Sequence, residues 1–168
     1  GHQRVELALV LAGVVRHVGG GAAHVEADHP VEAGHPAGAH PFMGLNEALL
    51  HSVDVVNYHS VTDYLRQKKI HPLFLTDTEV SVLLFDLYSR VYRYPLEYVI
   101  EALAPTMERD FDQLEEGKQP TYRAIQATHV HGSPDGPWFF IVARNETETG
   151  RLQLIGITDT SMLRPQVF

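Results

Sequence analysis

Apolar residues recur at two different periods along this chain of 168 residues, and the change of period divides it. Val80, Leu83, Leu84, Leu87 and Val91 fall at helical spacing and predict a helix that buries one face. Thr76 or Asp77 stands where a side-chain oxygen can cap the first turn of that helix. Ser60 to Lys69 predicts a more polar helix stopped by Pro72. Leu96 to Ala104 predicts a short one stopped by Pro105, and Met107 to Leu114 another. Leu45 to Leu50, Val53 to Asn57 and Leu73 to Leu75 read as strands ahead of or among these helices. Tyr122 to His131, Trp138 to Ala143 and Leu152 to Thr158 read as β-rich runs after them, with turns at Asp135-Gly136 and Glu146 to Gly150. The order of strands, helices and strands predicts an α+β protein in which helices cover antiparallel sheet.

Composition changes the picture in two places. Residues 1–38 are atypically rich in His, Gly and Ala, and neither an aromatic residue nor a Lys occurs before Phe42. Within that stretch Val5 to Val15 reads as a buried strand, with a signal peptide as the weaker alternative. The whole length fits a single domain, 1–168. Thirteen Lys and Arg against 21 Asp and Glu give a net charge of −8, which argues against nucleic acid or anionic membrane as partners. No run reaches the roughly 20 apolar residues of a membrane helix. Cysteine is absent, so disulfides, cysteine-ligated zinc and a cysteine nucleophile within this sequence are excluded; the expectation is a cytoplasmic protein.

Four short segments, in order, carry a resemblance. They are Ala39-His40-Pro41-Phe42; Asn57-Tyr58-His59-Ser60 leading to Leu75-Thr76-Asp77-Thr78-Glu79-Val80; Asp135-Gly136-Pro137-Trp138 before an apolar run; and Ile157-Thr158-Asp159 with Leu163-Arg164-Pro165. Residues 39–168 thereby resemble class II glutamine amidotransferases, the N-terminal nucleophile hydrolases, most closely the separate amidotransferase chains of glutamate synthases. The resemblance implies a four-layer α/β/β/α sandwich, incomplete here. It also implies hydrolysis of glutamine to glutamate and ammonia for a synthase partner. The flavin and iron–sulfur centres would belong to that partner, and no cofactor is expected on this chain.

Carried over position by position, the resemblance gives Asp77 the task of holding the α-ammonium of glutamine or a related amino acid, and sets His40 beside the same pocket. The alternative for Asp77 is a helix cap, and for His40 a loop position with no task. The family's nucleophilic Cys, whose α-amine acts as base, is not matched by Gly1, and Ala23-His24-Val25-Glu26 puts Glu where a carboxylate-binding Arg is wanted. The oxyanion hole falls on His51-Ser52-Val53, where Ser52 and Val53 replace the family's Asn-Gly. Losing one oxyanion donor costs on the order of a hundred- to a thousandfold in rate. Impaired activity is therefore expected. A catalytically silent subunit of the same fold is the alternative.

The histidines raise a third possibility, a metal protein. His24, His29, His35 and His40 lie near Glu26, Asp28 and Glu32, but at intervals unlike those of zinc sites on helices or hairpins. His129 and His131 would share one face of a strand, without a third ligand that can be named. No metal ligand is assigned.

Overall fold

The computed structural model describes residues 5–8, 41–52, 55–74 and 76–160. Five strands form one sheet in the order β1-β5-β4-β3-β2: β1 (Val5–Ala8), β2 (Phe42–Met43), β3 (Glu47–Ser52), β4 (Phe139–Glu146) and β5 (Arg151–Thr158). Strands β2 to β5 pair antiparallel, while β1 joins the edge parallel to β5. Between β3 and β4 run five helices: α1 (Tyr58–Gln67), α2 (Asp77–Asp86), α3 (Leu96–Leu103), α4 (Glu108–Phe111) and α5 (Gln119–His129). The α+β class is as expected, and the described residues hold one sheet.

Strand alternation sets the core. Leu49, Phe140, Val142, Ile155 and Ile157 face one side, lie opposite one another in register and are buried. Helix α2 packs on that side against β2 and β3. It was expected to bury one face, but of its ten residues only Asp77 and Leu83 escape burial, because α1 also packs against it. After Asp86 the chain widens into a π-helical segment, Leu87–Val91, where the Tyr92 N–H reaches back to the Leu87 carbonyl at 2.9 Å.

Several sequence expectations are corrected. Tyr122 to His131 is not a strand: Gln119–His129 is helix α5, which buries Tyr122, Ile125 and His129, places Pro120 in its first turn and packs on α3. The 3.6 period outweighed the β-branched content there. Val55 to Asn57 is a turn entering α1, not a strand, and Phe74 contributes only an isolated bridge. Helix α1 ends before Pro72 is reached. Lys69 adopts φ 63°, and the N–H groups of Lys69 and Ile70 return to the carbonyls of Arg66 and Leu65 at 2.9 and 3.0 Å, a Schellman closure.

His129 is 2% exposed and sits among four tyrosines. The Tyr64 hydroxyl lies 2.9 Å from its Nδ1 and the Tyr94 hydroxyl 3.1 Å from its Nε2, while Tyr88 and Tyr92 pack against the ring. A neutral ring uses one nitrogen as donor and the other as acceptor, and both find a partner. Just beyond, Gly132 lies under Tyr88 and Tyr64; a Cβ there would meet the Tyr88 hydroxyl and come within 2.6 Å of the Tyr64 ring.

Burial, and then the nearby Lys68 charge, push the His129 pKa down. The unfolded chain, with an ordinary value of about 6.5, then binds the proton better than the folded one. Its contribution to stability is therefore complete above that value and declines as pH falls below it. Urea unfolding between pH 7.5 and 5.5 should show this loss, and His129→Phe should flatten the slope. Gly132→Ala should cost about 1–3 kcal/mol in the same assay through overpacking.

Candidate functional site

Thr76 caps helix α2. Its backbone is extended, and its side-chain oxygen accepts the Glu79 N–H at 3.3 Å. This leaves Asp77, the first helical residue, free of the capping task. The Asp77 carboxylate turns toward the sheet instead. Oδ2 accepts the Val55 N–H at 3.1 Å, and Oδ1 lies 3.5 Å from Nδ1 of His51 on β3. The His51 side chain is 4% exposed and packs against Phe140, whereas that of Asp77 keeps 22% exposure. The positive end of the helix dipole stabilises this carboxylate as an anion, and part of it stays open to solvent.

Burial raises the Asp77 pKa, but the hydrogen bond and charge of His51, with the N–H groups of Val55 and Thr78, outweigh it and hold the carboxyl below its ordinary value. Two residues on, Glu79 accepts the N–H groups of Leu73 and Phe74 at 2.8 and 2.7 Å and fixes the approach to α2. Burial pushes the Glu79 pKa up against the pull of those two amides. Phe74 then meets Phe42 edge-on, with ring centroids 5.3 Å apart.

Asn57 ties in the other end of the chain. Its side-chain amide donates to the Ser133 carbonyl at 2.9 Å and accepts the Asp135 N–H at 2.8 Å, while the Val56 N–H bonds the Asp135 carbonyl at 2.8 Å. The Trp138 indole N–H donates to the Pro134 carbonyl, and the Trp138 carbonyl accepts the Asp159 N–H. The segments around Phe42, Asn57, Asp77, Asp135 and Asp159, far apart in sequence, thus join at one end of the sheet.

Of the residues expected at the site, Asp77 begins α2 and faces Val55 and His51. Ser52 ends β3 one residue beyond His51, paired with Phe139. Val53 and His40 lie outside the described residues, as do His24, His29 and His35. His51 and Asn57 were not expected as site residues. Alternation on β3 places His51 with Leu49 on the helix-covered side, and that was the available signal. His129 and His131 do not share a strand face, since one is buried in the last turn of α5 and the other is exposed beyond it. Among the described residues no three His, Cys, Asp or Glu side chains cluster as metal ligands, and no helix is long and apolar enough to cross a membrane.

A cleft of about 500 Å³ opens nearby, lined by Asn57, Trp138 and Asp159 among others. Asp77 is not among the residues that line it, so this cleft and the Asp77 carboxylate are separate features.

Comparison with known proteins adds one relative of note. A curated protein of Archaeoglobus fulgidus, described as an uncharacterized protein, is 34% identical over 128 residues, which make up 76% of this chain and 32% of that protein. The chain therefore spans about a third of the relative's length. No family model and no solved structure matches.

Asp77→Ala should cost about 1–3 kcal/mol in urea unfolding at pH 7, because the Val55 N–H loses its partner. A carboxylate with a lowered folded-state pKa stabilises the fold above its unfolded value of about 3.9, and that contribution disappears as pH falls through the folded value. Asp77→Asn should accordingly lose less stability than the parent between pH 5 and pH 3.

Proposed function

We propose that this chain carries the amino-acid-binding half of a class II glutamine amidotransferase domain of glutamate-synthase type. Its substrate would be glutamine, and the ammonia would pass to a synthase-type partner. The observation that supports the reading is the placement of Asp77, whose carboxylate is held by Val55 and His51 while Thr76 caps the helix, beside the Asn57 segment that ties in Asp135. Asp77 takes the α-ammonium in this reading, through the part of its carboxylate still open to solvent.

The sheet supports the layered architecture. On the face opposite Leu49 and Val142, Ala48, Leu50, Phe139, Ile141 and Leu154 are apolar and partly buried, in register across three strands. A sheet apolar on both faces is one that packs on both faces. A second sheet laid there would complete the four layers.

Hydrolysis is a separate matter. The sequence contains no cysteine, and Ser52 and Val53 stand where the family's oxyanion donors would be. We therefore propose that residues 1–168 taken alone bind glutamine without turning it over, with a catalytically silent subunit of the same fold as the alternative.

L-Glutamine at about a hundred times its dissociation constant should stabilise the folded chain by about 2.7 kcal/mol. For a domain of this size that is a rise in Tm of about 5–10 °C. Asp77→Asn should abolish the shift, and ammonia release from glutamine should stay at the buffer rate. A Tm that glutamine leaves unmoved would overturn the binding assignment.

A further inference from the structure

The last turn of α5 holds a titratable ring in surroundings that receive a positive charge poorly. His129 is faced by Tyr64 and Lys68 from α1 and its C-terminal end, by Tyr88 of the π-helical segment, and by Tyr92 and Tyr94 beyond it. Four of these are phenols and the fifth is a cation, with its Nζ 5.4 Å from the centroid of the Tyr64 ring. A neutral imidazole satisfies its two hydroxyl partners, one nitrogen donating and the other accepting. An imidazolium donates from both nitrogens. The hydroxyl that had donated to the ring then loses that acceptor, and the buried charge has no carboxylate beside it. The closed arrangement therefore favours the neutral ring, and proton uptake favours a state in which the ring reaches water.

The ring is also tied to the loop that follows it. The His129 carbonyl accepts the Gly132 N–H at 2.8 Å, and the Gly132 carbonyl accepts the Tyr88 hydroxyl at 3.1 Å. Gly132 lies so close under Tyr64 and Tyr88 that the cage of rings and the loop move as one piece. Ser133 then gives its carbonyl to the Asn57 side chain, which accepts the Asp135 N–H in turn, and the Asp135 carbonyl holds the Val56 N–H. A continuous run of hydrogen bonds thus leads from His129 to the turn ahead of α1. The sheet does not depend on that run. Strands β3, β4 and β5 pair through their own ladders and bury Leu49, Val142 and Ile155 between sheet and helices.

We propose that His129 is a proton-sensitive latch: uptake of a proton opens the end of α5 with residues 130–136 and releases the Asn57 clamp, while the sheet stays folded. Opening confined to one helix end and one loop exposes less apolar surface than unfolding of the whole chain, and so needs less free energy. One proton bound in the open state supplies the bias. The latch stands independently of the amidotransferase reading, because no ligand at Asp77 enters it.

Backbone hydrogen exchange of the full chain, followed by NMR from pH 7.5 to pH 5.0 and corrected for the intrinsic rate, tests this. The amides of Val56, Gly132 and Asp135 should lose protection together below about pH 6.5, by up to about tenfold per pH unit, the limit for one linked proton. Amides in the ladder between β4 and β5 should keep theirs. His129→Phe or His129→Gln should remove the pH dependence at the three amides. His131→Gln, an exposed change two residues on, should leave it in place. In the parent chain the His129 ring signals should shift over the same pH range, a comparison that holds even if neither His129 variant folds. The proposal is overturned if the ladder amides lose protection in parallel, if the three amides stay protected to pH 5.0, or if the His129 variants behave as the parent does. A ring that titrates apart from the three amides would overturn it as well.

Discussion

Backbone groups removed from water must find partners, and at one end of this protein side chains from distant segments supply them. Val55 to Asn57, ahead of α1, draw on partners outside their own turn. Asp77 accepts the Val55 N–H, and the Asn57 side chain and Val56 backbone bind the loop before β4. Through these bonds the start of the helical block is tied to the loop that leads into the C-terminal hairpin. The orientation of Asp77 toward His51 and the opening of the cleft beyond Asn57 go with that junction.

Most elements were legible where one period dominated. Strands β4 and β5 and helices α2 and α3 follow from alternation or from apolar spacing, because each buries residues against a neighbour in the pattern that its backbone dictates. Helix α5 was misread, since Thr, Val and Tyr suggested strand while Tyr122, Ile125 and His129 carried the helical spacing. The two signals conflict locally, and packing on α3 decides between them, which no single segment reveals. The same holds for the π-helical turn after Asp86. Its register serves Tyr88, Tyr92 and Tyr94 around His129, a residue nearly forty positions away.

The site divides along similar lines. Asp77 stood out because its flanking residues resemble a known motif, and its freedom from capping became visible only once Thr76 was seen to fill that role. His51 and Asn57 gave little local signal. Their importance lies in partners across the fold, Asp77 for one and Ser133 with Asp135 for the other. Side chains that act as struts between distant segments look like ordinary polar residues until those segments meet.

The pairing of β3 with β4 across the whole helical block also bears on how the protein is made. Strand β3 leaves the ribosome long before its neighbour β4 exists, so one of its edges waits through synthesis of five helices. During that interval the unpaired N–H and C=O groups of that edge are open to any extended segment nearby, which makes β3 the place where a nascent chain can pair wrongly.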